Sequence, residues 1–381
     1  MADPILKPVR VLTAALALAT LLSACQSSEP ANRGPNPAVV GALAKGVNLS
    51  AWFTFRTDAG HAGERYQVSG EDLDWIAARG LRHVRIPFDP AWFLGQGDAP
   101  LKASAVAELR QAVVDAQARG LLVVLTMQPE SAAKQRIAAQ PAALQAAARF
   151  WRLLAAELAD LPAERLVFEA LNEPEIESAA ASRAVVGTLA DAIRTAAPEH
   201  TIVVAGHRWS SLPELLALEP YADRNRVYAF HFYDPHNFTH QGADWGWDMW
   251  RQLAGLPYPS SPESVSPLLD LLPAQTHAHI SHYGEQRWGR ARLAGLLDQA
   301  AAYARAHGVF VWCSEFGVYR YNVREEHRRA WLWDVRTLLE ERKLGWTLWD
   351  YAGRFGVVTG EPGQRKADAV VIDALGLKPS P

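Results

Sequence analysis

A single (β/α)8 TIM barrel, an α/β fold, is what this sequence predicts, on three observations. Eight short segments rich in Val, Ile and Leu alternate with helix-patterned stretches between residues 45 and 349. The apolar segments show little polar alternation, as expected of strands buried on both faces of a parallel sheet. Glycines separate a helix from the next strand at Arg79-Gly80-Leu81, Arg119-Gly120-Leu121 and His307-Gly308-Val309, where a helix C-cap belongs.

Lys45–Leu49 is the expected first strand. Leu81–Ile86 follows a short helix at Glu71–Arg79, and Leu121–Met127 follows a helix at about Ser104–Arg119. Arg165–Leu171 follows Pro141–Leu158, and Thr201–Ala205 follows a helix at about Ser182–Ala197. Arg226–Phe232 follows a shorter helical stretch near Pro213–Leu218. Val309–Ser314 follows Ala291–Ala306, and Gly345–Trp349 follows Glu325–Arg342. No Gly-rich phosphate loop follows any strand, which leaves the nucleotide-binding folds without support. One connection is far longer than the rest: from about Asp234 to Arg290 the chain carries Trp245, Trp247, Trp250, Tyr258, Tyr283 and Trp288. A long insertion after strand six emerges at the C-terminal rim, where barrel sites sit, and is expected to wall the substrate groove.

The N-terminus reads as a processing segment. Lys7 and Arg10 precede an apolar run from Val11 to Leu22, too short to span a bilayer as a permanent helix. The run ends in Leu22-Ser23-Ala24-Cys25, which resembles a bacterial lipobox, and Gln26 follows. The expectation is a lipoprotein signal over residues 1–24, acylation at Cys25, a flexible tether over 25–40 and a barrel over 41–381. That places the protein outside the cell, anchored to the membrane by an N-terminal lipid, with the bacterial outer membrane the expected destination. With Cys25 acylated, Cys313 stands alone and no disulfide forms.

The formal net charge is −3 and no basic stripe occurs, so nucleic acid is not an expected partner. Fourteen Trp in 381 residues suit sugar stacking as well as a large core. A monomer is expected.

Polar residues collect where strands end: Arg85, Asn172-Glu173-Pro174, His231-x-Tyr233, Ser314-Glu315-Phe316-Gly317 and Trp349-Asp350. A barrel brings such ends to one mouth. Two carboxylates at one mouth are the minimum for glycoside cleavage, one to protonate the leaving oxygen and one to attack or to activate water. Arg85 and Tyr233 are natural donors to Glu315, and Asn172 and His231 could orient other groups. Glu169 faces the same side as Glu173, deeper in the barrel, and reads as a buried structural carboxylate. His83, two residues before Arg85, reads as a packed histidine one layer down. Asp234 and His236 are even candidates for the groove. His277, His279 and His282 lack the pattern of a zinc site, and no metal or cofactor is needed for this chemistry.

The ordered set Arg85, Asn172-Glu173-Pro174, His231-x-Tyr233, Glu315-Phe316-Gly317 and Trp349, with the opening Lys45-Gly46-Val47-Asn48-Leu49, resembles glycoside hydrolase family 5, the cellulase-type family of retaining barrels. The resemblance covers about residues 44 to 351. It implies that Glu173 is the acid/base, Glu315 the nucleophile, and that Arg85, Asn172, His231 and Tyr233 support them. Trp349 would floor the subsite next to the bond cleaved. The family often has a His at the end of strand three; here Gln128 stands there, able to hydrogen-bond but not to titrate. The implied substrate is a β-linked polysaccharide or oligosaccharide, β-1,4-glucan first. Mannan, β-1,3-glucan or an exopolysaccharide is open, and so is a non-catalytic sugar-binding barrel or net transglycosylation.

Overall fold

The computed structural model describes residue 1 and residues 33–54, 67–95 and 101–378. The expected signal segment and Cys25 lie outside the described residues.

Eight parallel strands close on themselves in chain order: β1 (Lys45–Asn48), β2 (His83–Phe88), β3 (Leu122–Met127), β4 (Leu166–Glu169), β5 (Thr201–Ala205), β6 (Arg226–Phe232), β7 (Phe310–Phe316) and β8 (Gly345–Leu348). β8 returns to pair with β1. Each lies within two residues of the segment its apolar run predicts. The helices that cover them are α2 (Gly70–Ala78), α3 (Ala103–Ala118), α4 (Ser131–Ala139), α5 (Pro141–Leu158), α6 (Ala179–Ala196), α7 (Leu212–Leu216), α11 (Arg290–His307) and α12 (Glu325–Glu341). Gly80, Gly120 and Gly308 all take positive φ, between 60° and 80°, which side-chain-bearing residues avoid, and each ends a helix as expected.

The tether ends sooner than its composition predicts. Asn36 caps a helix, α1 (Pro37–Ala42), by accepting from the Ala38 N–H at 2.8 Å. Val39 of α1 and Leu43 are fully buried with Leu122, Val124, Val167, Val203, Val227 and Trp312, which alternate along their strands and fill the barrel interior. The compact unit therefore begins at Gly34 rather than at residue 41. Above this apolar plug the interior turns polar. His83 bridges the Ala42 carbonyl (2.9 Å) and Thr347 Oγ1 (2.7 Å), so it is a packed histidine, one layer below Arg85.

The insertion after β6 folds into α8 (His236–Thr239), α9 (Pro262–Val265) and α10 (His277–Glu285). Tyr258, Tyr283 and Trp288 are buried in the core, so they do not wall a groove, while Trp245 and Trp247 stay 40% and 43% exposed. After β8 come a two-stranded hairpin, β9 (Val358–Thr359) with β10 (Lys366–Ala367), and α13 (Ala369–Ala374). Strands of two residues carry no periodicity, and the sequence gives no sign of them. Among the described residues no helix is long and apolar enough to cross a membrane.

Candidate active site

The strand ends meet as expected, around an open cleft of about 800 Å³ at the C-terminal mouth. Arg85 lies fully buried in mid-strand and organises the floor. Its Nε and Nη2 donate to both oxygens of Glu169 (2.6 and 2.9 Å), and Nη2 also donates to Asn172 Oδ1 at 2.7 Å. Nη1 donates to Asn48 Oδ1 and to Glu315 Oε1, both at 2.8 Å. Glu169 is thus the buried structural carboxylate the strand alternation predicts; it neutralises Arg85 from below, and a guanidinium with five donors is the side chain that can serve all these acceptors. Asn48 was not foreseen as part of the site, because its role exists only once β1 lies beside β2 and β8.

Glu315 is aimed by an irregularity in β7. Phe230 pairs with Cys313 and His231 pairs with Glu315, so Ser314 is bypassed in the ladder. Such an extra residue bends the strand and redirects the next side chain. Glu315 accepts from Arg85 on one oxygen and from the Tyr233 hydroxyl on the other, at 2.9 Å. Tyr233 is itself pushed well above its ordinary pKa, first by burial and then by Glu315, and keeps its proton to donate.

Glu173 stands across the mouth in the left-handed region, with φ 47°. A non-glycine residue held there marks a constrained site. Its carboxylate accepts from His231 Nδ1 at 3.0 Å, and its side chain is 29% exposed against 5% for Glu315. One oxygen of Glu173, one of Glu315 and a ring nitrogen of His231 all lie within 4.8 Å of one another. Three such ligands could in principle take a cation, but the Arg85 guanidinium already neutralises Glu315 at 2.8 Å, which works against one.

Burial works against charge on both carboxylates. At Glu173 the hydrogen bond and charge of a protonated His231 overcome burial and hold the carboxyl down at about 2. At Glu315 burial prevails over His231 and Arg85 and pushes the carboxyl up. His231 lies between the two carboxylates and contributes at both. Its Nδ1 faces the two carboxylates, while its buried Nε2 has no partner among the described residues. Arg85 and Tyr233 donate to Glu315 and favour its ionised form. The negative Glu315 then favours a proton on Glu173.

Trp349, Gln128 and Asn172 line the cleft, as expected, and Gln128 Oε1 is buried without a partner among the described residues. Asp234 and His236 do not line it; from the insertion, His240, Asp244 and Trp245 do. The His240 ring stacks on Trp250 at 4.7 Å and meets Tyr233 edge-on at 5.1 Å, and burial pushes it down to about 3, so it is neutral. Ser50, Asp350 and the loop after β8 also line the cleft, with Arg320, Tyr321 and Arg354. The sequence places Asp350 at a strand end but gives it no task. Trp247 and His279 pack edge-on at 4.8 Å, and no metal-ligating group gathers around His277, His279 and His282 among the described residues.

A family model described as Cellulase (glycosyl hydrolase family 5) matches residues 43–354. Endoglucanase 3 of Fibrobacter succinogenes is 27% identical over 338 residues, covering 83% of this chain and 50% of its own length. The chain thus spans half the length of that relative. Endoglucanase C of Acetivibrio thermocellus is 24% identical over 314 residues, covering 80% of this chain and 90% of its own. Among solved structures, endoglucanase Cel5A of Thermotoga maritima superposes with a TM-score of 0.73 at 21% identity, covering 88% of this chain and 98% of that one. Cellulose synthase subunit Z of Clostridioides difficile does so with a TM-score of 0.72 at 22% identity, covering 87% and 98%. These two share the fold.

Proposed function

Because the chain belongs to glycosyl hydrolase family 5, we propose that it cleaves β-1,4-glucan internally with retention, Glu315 acting as nucleophile and Glu173 as acid/base. One observation carries this reading: two carboxylates approach within 4.8 Å across the mouth, one clamped by fixed donors and the other partly open to solvent. Direct displacement calls for roughly 5–5.5 Å between carboxyl groups, whereas single-step inversion needs more than about 6.5 Å to admit a water.

In the first step Glu315 forms a bond to the anomeric carbon while the glycosidic oxygen leaves with the proton from Glu173. In the second, Glu173 takes a proton from water, whose oxygen attacks the same carbon and releases Glu315. Arg85 and Tyr233 fix the attacking carboxylate. Asn172, tied to Arg85, is placed to meet the 2-hydroxyl, and Trp349 to carry the ring at the cleavage point. Gln128 offers an acceptor where a titrating side chain is usual. The two endoglucanases among the curated relatives support a glucan substrate. The lipobox at Leu22–Cys25 supports an exported protein held at the bacterial outer membrane by an acylated Cys25; Cys25→Ser should move it from the membrane fraction to the soluble one.

The test is a digest of β-1,4-glucan, mixed-linkage glucan, β-1,3-glucan and mannan, with the product anomer followed by NMR. β-Anomers are expected at first, with no turnover by Glu315→Gln. Initial α-anomers would overturn the retaining reading. Glycan binding by the wild type without turnover on any of the four would make it a binding protein.

A further inference from the structure

Ser50 follows β1 and Asp350 follows β8, adjacent strands of the closed barrel. Both line the cleft beside Trp349, and both are buried, at 3% and 2% exposure. Ser50 Oγ donates to Asp350 Oδ2 in a short hydrogen bond. The loop that follows wraps this carboxylate so closely that a side chain at Gly353 would run into it. Asp350 Oδ1 is different: it is buried and has no partner among the described residues. A carboxylate oxygen in that condition is costly unless a partner fills the bond. Burial pushes this carboxyl up to about 6, against the Ser50 hydrogen bond, the Arg320 charge and the Gly353 backbone.

The barrel fixes which part of the substrate could supply that donor. Glu173 follows β4, and β4 and β8 are four strands apart in a ring of eight, on opposite sides of the mouth. Resting on the roles proposed above, the acid/base side holds the leaving group, so the opposite side holds the sugar that stays on the enzyme.

We propose that Ser50 and Asp350 form a hydroxyl-reading site on the glycone side, in which Asp350 Oδ1 accepts from one hydroxyl of a neutral sugar and Ser50 holds the carboxylate in place. The chemistry recognised is a hydroxyl at the edge of a ring lying on Trp349. Asp350 then sets which hydroxyl configuration is accepted there, and the two carboxylates that break the bond do not.

The test pairs protein and substrate changes. Wild type, Asp350→Ala and Asp350→Asn are assayed on an aryl β-cellobioside and on its singly deoxygenated analogues, each altered at one glycone hydroxyl. One analogue should cost the wild type roughly 10- to 100-fold in kcat/KM, the range of one charge-assisted hydrogen bond. The same analogue should cost Asp350→Ala less than twofold. Should the Ala variant fail to fold, the Asn variant, close in shape, should still show a reduced penalty. Equal losses on all analogues would make Asp350 a structural prop, and unchanged kcat/KM would remove it from the site; either result overturns the proposal. A wild type with no turnover on the parent cellobioside would instead sink the glycosidase reading.

Discussion

His231 and Asp350 show how single side chains tune this cleft. The His231 Nδ1–H contact favours the charged form of Glu173 and holds its carboxyl down. His231→Ala removes that donor, so the Glu173 pKa should rise. An acid must be protonated to act, so the basic limb of kcat/KM against pH should move to higher pH while the maximum falls; a limb moving down would contradict the assigned contact. Asp350 predicts a stability effect. Its folded pKa of about 6 lies above the 3.8 of an ordinary Asp, so its ionisation opposes folding. The associated stability is fully present below 3.8 and is lost as pH rises through 6, a swing of about 3 kcal/mol for roughly two pKa units. Asp350→Asn lacks that swing, so its stability relative to wild type, from denaturant melts, should improve between about pH 4 and pH 8 by up to that amount. A difference that stays flat with pH would refute the shift. Glu173, Glu315 and Tyr233 were legible because each stands at a strand end. Ser50 was not legible, and Asp350, also at a strand end, had no task, because neither has one until β1 and β8 lie side by side.

At the scale of elements, the alternation of strand and helix made the eight strands and the helices α2, α3, α5, α6, α7, α11 and α12 readable, while α4 and α10, nine residues each, and the shortest pieces were missed. α1 is six residues and β9 and β10 two each, too few for any period to show. The insertion was legible as a rim feature but not residue by residue. Aromatic residues alone do not say which will pack inward, and Tyr258, Tyr283 and Trp288 became the insertion's own core. Trp245 reaches the cleft, its ring edge-on to Tyr319 at 5.0 Å and with Arg354 5.3 Å from its centre. Trp245→Ala should therefore raise KM for cellopentaose or longer by roughly tenfold, the scale of one stacking contact, and leave short aryl glycosides within about twofold. Equal losses on long and short substrates would mean that the insertion acts through the fold and not through the sugar.

At the scale of the whole barrel, Arg85 on β2 ties together Asn48 of β1, Glu169 and Asn172 around β4, and Glu315 of β7. Arg85→Met leaves two buried carboxylates without their cation and should lower stability by about 3–5 kcal/mol in denaturant unfolding. Arg85→Met with Glu169→Met removes the structural pair together and should recover much of that stability, with activity on β-glucan still lost because Glu315 lacks its guanidinium. Recovery of activity would show that Arg85 serves the scaffold alone.

The return of β8 to β1 also sets when the cleft is complete. Asn48 Nδ2 reaches the carbonyls of Ser314 and Leu348, 266 and 300 positions downstream. A growing chain therefore carries Glu173 and Glu315 before the last strand that frames them. The cleft is whole only when the final strand lies beside the first.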